Sequence, residues 1–425
     1  MSDVLGFAAY LLLPFIGIVV WRLDAVRELA IDGRIAVAGA AGALFLGMLM
    51  SAMSLVHLSW TRTALFLVLA IFIAITLRGV RFSELRVDWS PALLAVLALF
   101  AIVVYASLTA RATIGDLLFF WGPKGVHFQQ AGKIDVDFLR NPDHFLQHRD
   151  YPPLLPALFA WSMALSRTFS WWSAILFTAL CAAAIVSMIR SFTRDNLSGL
   201  LAMSILAWCF VRPWIAGGAD PLLLLYETLA VCALVFARDA PSQTILAMIG
   251  LGGAIVTKVE GASFVAAVLL ALLLQRMRFQ QLALIASAPL ALLGAWLTFL
   301  YRTELFDTYR GPGALSLQFF GSALRAAFAA ASYDAYWLPW IATLLVIFMG
   351  DVKRARLPLT IAAITCATTI FFYLKSPTDP AVFWIPSSAH RVLLTPLVML
   401  LIAAAAAHAQ KLPATRDAQR GAMER

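Results

Sequence analysis

Five ionisable residues stand beside apolar runs, where water is scarce, and each has a chemistry open to it. Charged side chains at membrane depth are costly, which makes every one of them a functional candidate. Asp116, in GDLLFFWGPKGVHFQQAGKID (115–135), follows a hydrophobic run closely enough to be half shielded from water. Partial desolvation raises a carboxylate's proton affinity, so Asp116 could serve as a general base. The plainer alternative is an interfacial carboxylate paired with Arg111 or Lys124. Asp220, in AGGADPLLLLY, sits before Pro221 where two glycines free the backbone, a setting that a helix-capping aspartate explains fully. Lys258 and Glu260, in IVTKVEGAS, are pressed by apolar runs on both sides. They could pair with each other, or the lysine could hold a phosphate as a compact point charge. Arg391, in SSAHRVLLTPL, opens the last apolar run and could anchor it at the interface or bind phosphate oxygens bidentately.

A metal is the other chemistry on offer. His127, His144 and His148 share one stretch with Asp135, Asp137, Asp143 and Asp150, a supply of imidazole and oxygen ligands. No recognised ligand spacing appears, so solvated loop residues and a divalent metal both remain open, and no metal ligand is assigned.

The elements that must position these residues are apolar helices. The chain is 62% hydrophobic and 13% charged, with a mean hydropathy of +0.86, far from a soluble domain. An all-α, polytopic transmembrane bundle follows. A bilayer core needs roughly 20 helical residues, and that measure marks about 13 spans: 4–21, 35–56, 63–78, 91–110, 171–190, 198–215, 221–237, 243–257, 261–274, 281–301, 335–350, 357–374 and 392–408. The run Pro152–Ser166 is short and carries three prolines, and is expected to be kinked and only partly inserted. The first run, Leu5 to Val20, lacks a basic leader and a small-residue cleavage site and reads as a retained span. Cys181, Cys209, Cys232 and Cys366 fall within apolar runs and read as packing residues.

Charge orients the bundle. The net charge of +9 is spread as punctuation between apolar runs, a pattern that fits membrane topology and not a nucleic-acid surface. WRLDAVRELAIDGR, RGVRFSELRVD, RSFTRDN, QRMRFQQ, DVKRAR and the tail from Lys411 fall on one face, expected to be cytoplasmic, provided that 152–166 does not cross. The opposite face receives the loop 111–150, the turns 217–220 and 257–261, and the loops 302–334 and 375–391, which hold the candidates. Within the first loop, Pro123 suits a helix start, and Leu117, Phe120, Trp121, Lys124 and Phe128 recur at helical spacing. Interfacial helices are expected there, with Lys124 snorkelling to water. No repeat of transporter type is visible.

Taken in order, these pieces resemble the GT-C superfamily of polytopic glycosyltransferases, the group holding protein mannosyltransferases and the lipid A aminoarabinose transferases. The resemblance rests on a span leading through GD into WGPKGVHFQQAGKID, the return HRDYPPLLP, the acidic turn GGADPLL, the turn TKVEG and the late HRVLLTP. It covers about 91–400, leaving 1–90 as a three-span extension, 91–409 as the catalytic module with its external loop 111–151, and 410–425 as a basic cytoplasmic tail. Asp116 is followed by Leu-Leu where many relatives carry a second acid, and no large soluble domain follows the last span.

The resemblance implies inverting transfer of a sugar from a polyprenyl-phosphate donor to a lipid or glycan acceptor, on the periplasmic face of a bacterial inner membrane. Asp116 would be the base, and Lys258 and Arg391 would bind the donor phosphate. Asp220, Glu260, Lys124, His148, Asp150 and Tyr151 would orient sugar, acceptor or a metal. Such a donor needs no nucleotide pocket and no nucleotide loop is present, while a divalent metal stays open as the cofactor. The rivals are a flippase or transporter for a lipid-linked sugar, and a glycan ligase or polymerase.

Overall fold

The computed structural model describes residues 2–78, 80, 91–109, 115–141, 143, 148–210, 215–306, 320–322, 324–325, 337–374 and 384–409. Arg111, His144, most of the loops 302–334 and 375–391, nearly all of RGVRFSELRVD and the 410–425 tail lie outside these residues. Among the described residues all regular structure is helical. In chain order the helices are α1 (Ser2–Leu11), α2 (Leu13–Ile16), α3 (Asp24–Arg27), α4 (Ile31–Leu55), α5 (Arg62–Leu77), α6 (Pro91–Thr109), α7 (Gly122–Ala131), α8 (Val136–Arg140), α9 (Leu154–Ser166) and α10 (Trp171–Thr193). They continue as α11 (Asn196–Phe210), α12 (Asp220–Phe236), α13 (Ala240–Thr257), α14 (Glu260–Leu274), α15 (Phe279–Thr303), α16 (Trp337–Phe348), α17 (Arg356–Leu374), α18 (Trp384–Val392) and α19 (Leu394–His408).

Each of the thirteen apolar segments expected from the sequence holds a helix among its described residues. Six are long and apolar enough to cross a membrane: Ser2–Arg22 taken as one, Ile31–Leu55, Trp171–Thr193, Ala240–Thr257, Phe279–Thr303 and Arg356–Leu374. Among the described residues, length and composition thus mark six candidate spans, and the other apolar helices are shorter. The bilayer-facing character of the bundle shows most clearly on α15, where Phe279, Leu284, Leu290, Leu297 and Tyr301 are exposed. Such a contiguous apolar surface is unfavourable in water and natural in lipid. The 152–166 run forms a short apolar helix, α9. All thirteen residues of α9 are buried, and the helix packs against α1, α4 and α7 inside the protein. Trp161 on α9 donates from Nε1 to the Ala9 carbonyl at 2.9 Å, satisfying the one polar atom of that buried ring.

Local chemistry explains where the helices near the site begin. Pro221 occupies the first turn of α12, where a missing N–H is harmless. Asp239 caps α13 by accepting from Ser242 N at 2.7 Å, and Ser170 caps α10 through Ser173 N at 3.0 Å. α12 and α13 then run against each other as an antiparallel pair with very little space between them. A Cβ at Gly253 would lie 2.2 Å from the Tyr226 ring, so only glycine lets the two backbones approach. This pairing sets the start of α12 beside the end of α13, which is the geometry the site requires.

The other end of α12 is also polar. Arg190 meets Asp32 at 2.6 Å, Arg194 pairs with Glu28, and a cavity of about 370 Å³ opens among Glu28, Arg194, Asp195, Arg238 and His408. The loops WRLDAVRELAIDGR and RSFTRDN thus lie together, as charge patterning led us to expect, at the end opposite Asp220.

Candidate functional site

Asp220, Lys258 and Glu260 come together because three helix ends meet. Asp220 is the first residue of α12, Glu260 the first of α14, and Lys258 follows α13 directly. Carboxylates at helix starts and a cation at a helix end are each favoured by the backbone dipoles. The turn between α13 and α14 is tight enough that a Cβ on Gly261 would lie 2.0 Å from the Ala254 carbonyl oxygen. Lys258 Nζ donates to Asp220 Oδ1 at 2.8 Å and lies 3.4 Å from Glu260 Oε1.

Two distant segments complete the cluster. Arg391, near the end of α18, pairs with Asp116 and lies 3.6 Å from the second oxygen of Asp220. Tyr151 reaches Glu260 Oε1 with its hydroxyl at 3.5 Å. Asp116 itself sits just before the π-helical turn Leu117–Trp121. That turn packs on Gly217, whose φ of +69° is a left-handed conformation suited to glycine; a Cβ there would meet the Leu117 side chain at 2.5 Å. Gly217 N donates to Thr178 Oγ1 at 2.7 Å, fixing the turn that precedes Asp220.

The chain Asp116–Arg391–Asp220–Lys258–Glu260–Tyr151 is therefore continuous. Its burial is graded: side-chain exposure is 6% for Asp220 and 8% for Lys258, against 23% for Asp116 and 34% for Glu260. Burial by itself would lower the proton affinity of the Lys258 ammonium, but Asp220 and then Glu260 outweigh it and hold this group above the ordinary lysine range. Burial is likewise outweighed at Arg391, by Asp220 and Asp116. Both cations thus keep their charge, and the cluster carries three carboxylates against two positive groups.

Several readings change with these positions. Asp116 pairs with Arg391 rather than with Lys124. Asp220 makes no side-chain capping bond; its carboxylate is engaged by cations instead, and Ala219 holds the capping position. Lys124 does not snorkel. It is 2% exposed, donates to the His148 carbonyl at 2.7 Å and lies over the Trp121 and Tyr151 rings at 5.4 and 5.9 Å. A buried ammonium held by a carbonyl and two ring faces is a packing anchor for the loop. His148 stands between Phe120 and Tyr151, and the Asp150 carbonyl accepts from Trp296 Nε1 at 3.1 Å. These three residues hold Tyr151 in place from behind.

Among the described residues no three His, Cys, Asp or Glu gather into a group that could hold a metal. Asp135 caps α8 through Phe138 N at 3.0 Å, and the His127 ring stacks on Phe138 at 3.8 Å. Cys181, Cys209 and Cys232 are buried and Cys366 is half-buried.

One residue of interest escaped the sequence reading. Glu227 lies seven positions after Asp220, two helical turns along the same face of α12, and is 1% exposed. Thr395 on α19 donates to its Oε2 at 2.8 Å. An acid inside LLLLYETLAVCALVF is itself a signal, because an ionisable group within an apolar helix is costly and demands a reason. No family model, curated protein or solved structure matches this chain.

Proposed function

We propose that the chain is a membrane glycosyltransferase that moves a sugar from a polyprenyl-phosphate donor to a lipid or glycan acceptor at the face bearing the cluster, with inversion. The observation that carries this reading is the meeting of Asp116, Asp220, Lys258 and Arg391 from four separate segments. A lipid phosphate is a good leaving group, so one base and a pair of cations are a sufficient set.

In this reading Asp116 takes the proton of the acceptor hydroxyl, whose oxygen attacks the anomeric carbon. The bond from that carbon to the phosphate oxygen breaks, and the charge left on the lipid phosphate is met by Lys258 and Arg391. Arg391 must turn from Asp116 to the phosphate for this to happen, which frees the base only when donor is bound. Glu260 stays beside Lys258 and, with Asp220, contacts the sugar hydroxyls, while Tyr151 reaches in beside Glu260. The exposed apolar helices offer the isoprenoid tail a lateral path from the bilayer. The inner membrane, a periplasmic site, a cytoplasmic tail and thirteen crossings belong to the same proposal.

The test is Asp116→Asn in membranes supplied with labelled polyprenyl-phosphate sugar. The variant should accumulate in the membrane at normal level and transfer no sugar; near-normal transfer would remove the base assignment. A second reading, a transporter for a lipid-linked sugar, draws on Glu227, which lies about 10 Å deeper than Asp220 along α12, toward the depth where transporters keep their polar groups. In that case the same assay would show the labelled glycolipid moved across the bilayer with its sugar bond intact.

A further inference from the structure

The anion position of this cluster is already filled by a carboxylate of the protein. Asp220 spans the two cations, with Oδ1 at 2.8 Å from Lys258 and Oδ2 at 3.6 Å from Arg391. A phosphate that engaged both cations would have to displace Asp220, and it would bring a further negative charge to a cluster whose carboxylates already outnumber its cations. Asp220 is 6% exposed where it stands between the two cations; displaced, it would give up these counter-charges, and a carboxylate buried away from counter-charge takes up a proton.

We infer that anion binding at this site is coupled to proton uptake, with Asp220 acting as an internal stand-in for the ligand and receiving a solvent proton when the ligand displaces it. This inference rests on the phosphate-binding role proposed above for Lys258 and Arg391. The neighbouring groups leave Asp220 as the acceptor of that proton. Asp116 and Glu260 are more open to water, at 23% and 34% exposure, and tolerate charge better. Glu227 accepts from Thr395 at 2.8 Å, and the Asp220→Asn variant separates uptake there from uptake at Asp220. Tyr151 faces Glu260, and Tyr373 on α17 shares a hydrogen bond with Ser388 on α18; both are phenols that stay protonated in the neutral range. His148 lies behind Tyr151, with ring centres 5.0 Å apart, and Lys124 is bonded to its carbonyl.

The experiment uses the full chain in mild detergent and a short-chain phosphodiester, hexyl methyl phosphate, which keeps one negative charge throughout. Calorimetric titrations in buffers of different ionisation enthalpy give the number of protons taken up. About one proton per ligand is expected, with affinity rising by up to about tenfold for each pH unit lowered. Asp220→Asn should bind at least tenfold tighter at the alkaline end with no uptake, and Lys258→Met should lose binding. Wild-type binding that needs Lys258 yet takes up no proton overturns the coupling and leaves the phosphate site standing. Absence of wild-type binding at every pH overturns both. Uptake that persists in Asp220→Asn removes Asp220 as the acceptor. The wild-type measurement decides the coupling even if the asparagine variant fails to fold.

Discussion

Replacing Lys258 by methionine keeps the length of the side chain and removes its charge, and the structure sets the size of the penalty. Lys258 holds Asp220 at 2.8 Å and Glu260 at 3.4 Å in a place where it and Asp220 are 8% and 6% exposed. Removing one partner of a buried pair costs about 3–5 kcal/mol because the other charge is left behind. Asp220 retains Arg391 at 3.6 Å, and Glu260 is 34% exposed and keeps Tyr151, so about 3 kcal/mol is expected. Adding Asp220→Leu removes the stranded carboxylate. The double variant should recover at least about 2 kcal/mol relative to Lys258→Met, since a buried pair replaced by apolar groups is often neutral or stabilising. Reversible unfolding in mixed micelles, followed by tryptophan fluorescence, gives all the corners of this cycle. A Lys258→Met protein as stable as the wild type, or a cycle with no coupling between positions 220 and 258, would refute the claim that this pair is a closed, desolvated unit.

Other outcomes follow from the same geometry. Lys258 has its proton affinity raised above the ordinary 10.5, so its contribution to stability is complete below that value and is lost only as pH climbs through the higher folded value; melting curves between about pH 7 and about pH 10 should show no loss that disappears in Lys258→Met. Glu227→Gln keeps an acceptor for Thr395 and should cost under about 1 kcal/mol, whereas Glu227→Ala leaves a void and an unanswered hydroxyl and should cost about 2–4 kcal/mol by the same unfolding assay. Gly253→Val should lower the melting temperature sharply, with a cost of about 3 kcal/mol or more, because its side chain would enter the Tyr226 ring; a variant that melts like the wild type would show that α12 and α13 are not in close contact. Lys124→Met should weaken the fold around α7 without altering the affinity for the phosphodiester, as measured by protease sensitivity of the 115–151 segment and by calorimetry.

The helices were legible because apolar runs bounded by prolines, glycines and basic residues leave the backbone few choices: the Pro221 start, the Asp239 cap and the Gly132 end are local signals. The number of crossings was less legible. Run length does not tell a helix that meets lipid from one, like α9, whose every residue is covered by its neighbours. The candidate residues were legible one at a time, from the cost of placing charge beside apolar sequence. Their partners were not. Asp116 and Arg391 are 275 residues apart, and nothing local to either told the Arg391 pair from one with Arg111 or Lys124. Asp220 shows the limit most plainly. Its sequence setting fits a cap, yet α13 returns Lys258 to its side and α18 brings Arg391, so tertiary packing gives the carboxylate a stronger demand than its own helix does. Glu227 was missed for the opposite reason: inside so apolar a run it was absorbed into the span, although its charge made it the most expensive residue there. Two turns of one helix thus join both lessons. Asp220 at the start of α12 meets cations delivered by other helices, and Glu227 two turns along accepts from a threonine hydroxyl. Asp220, held by Lys258 and Arg391, and Glu227, which accepts from Thr395, thus share one face in unequal surroundings, and that inequality is the physical basis for expecting the site to answer to pH.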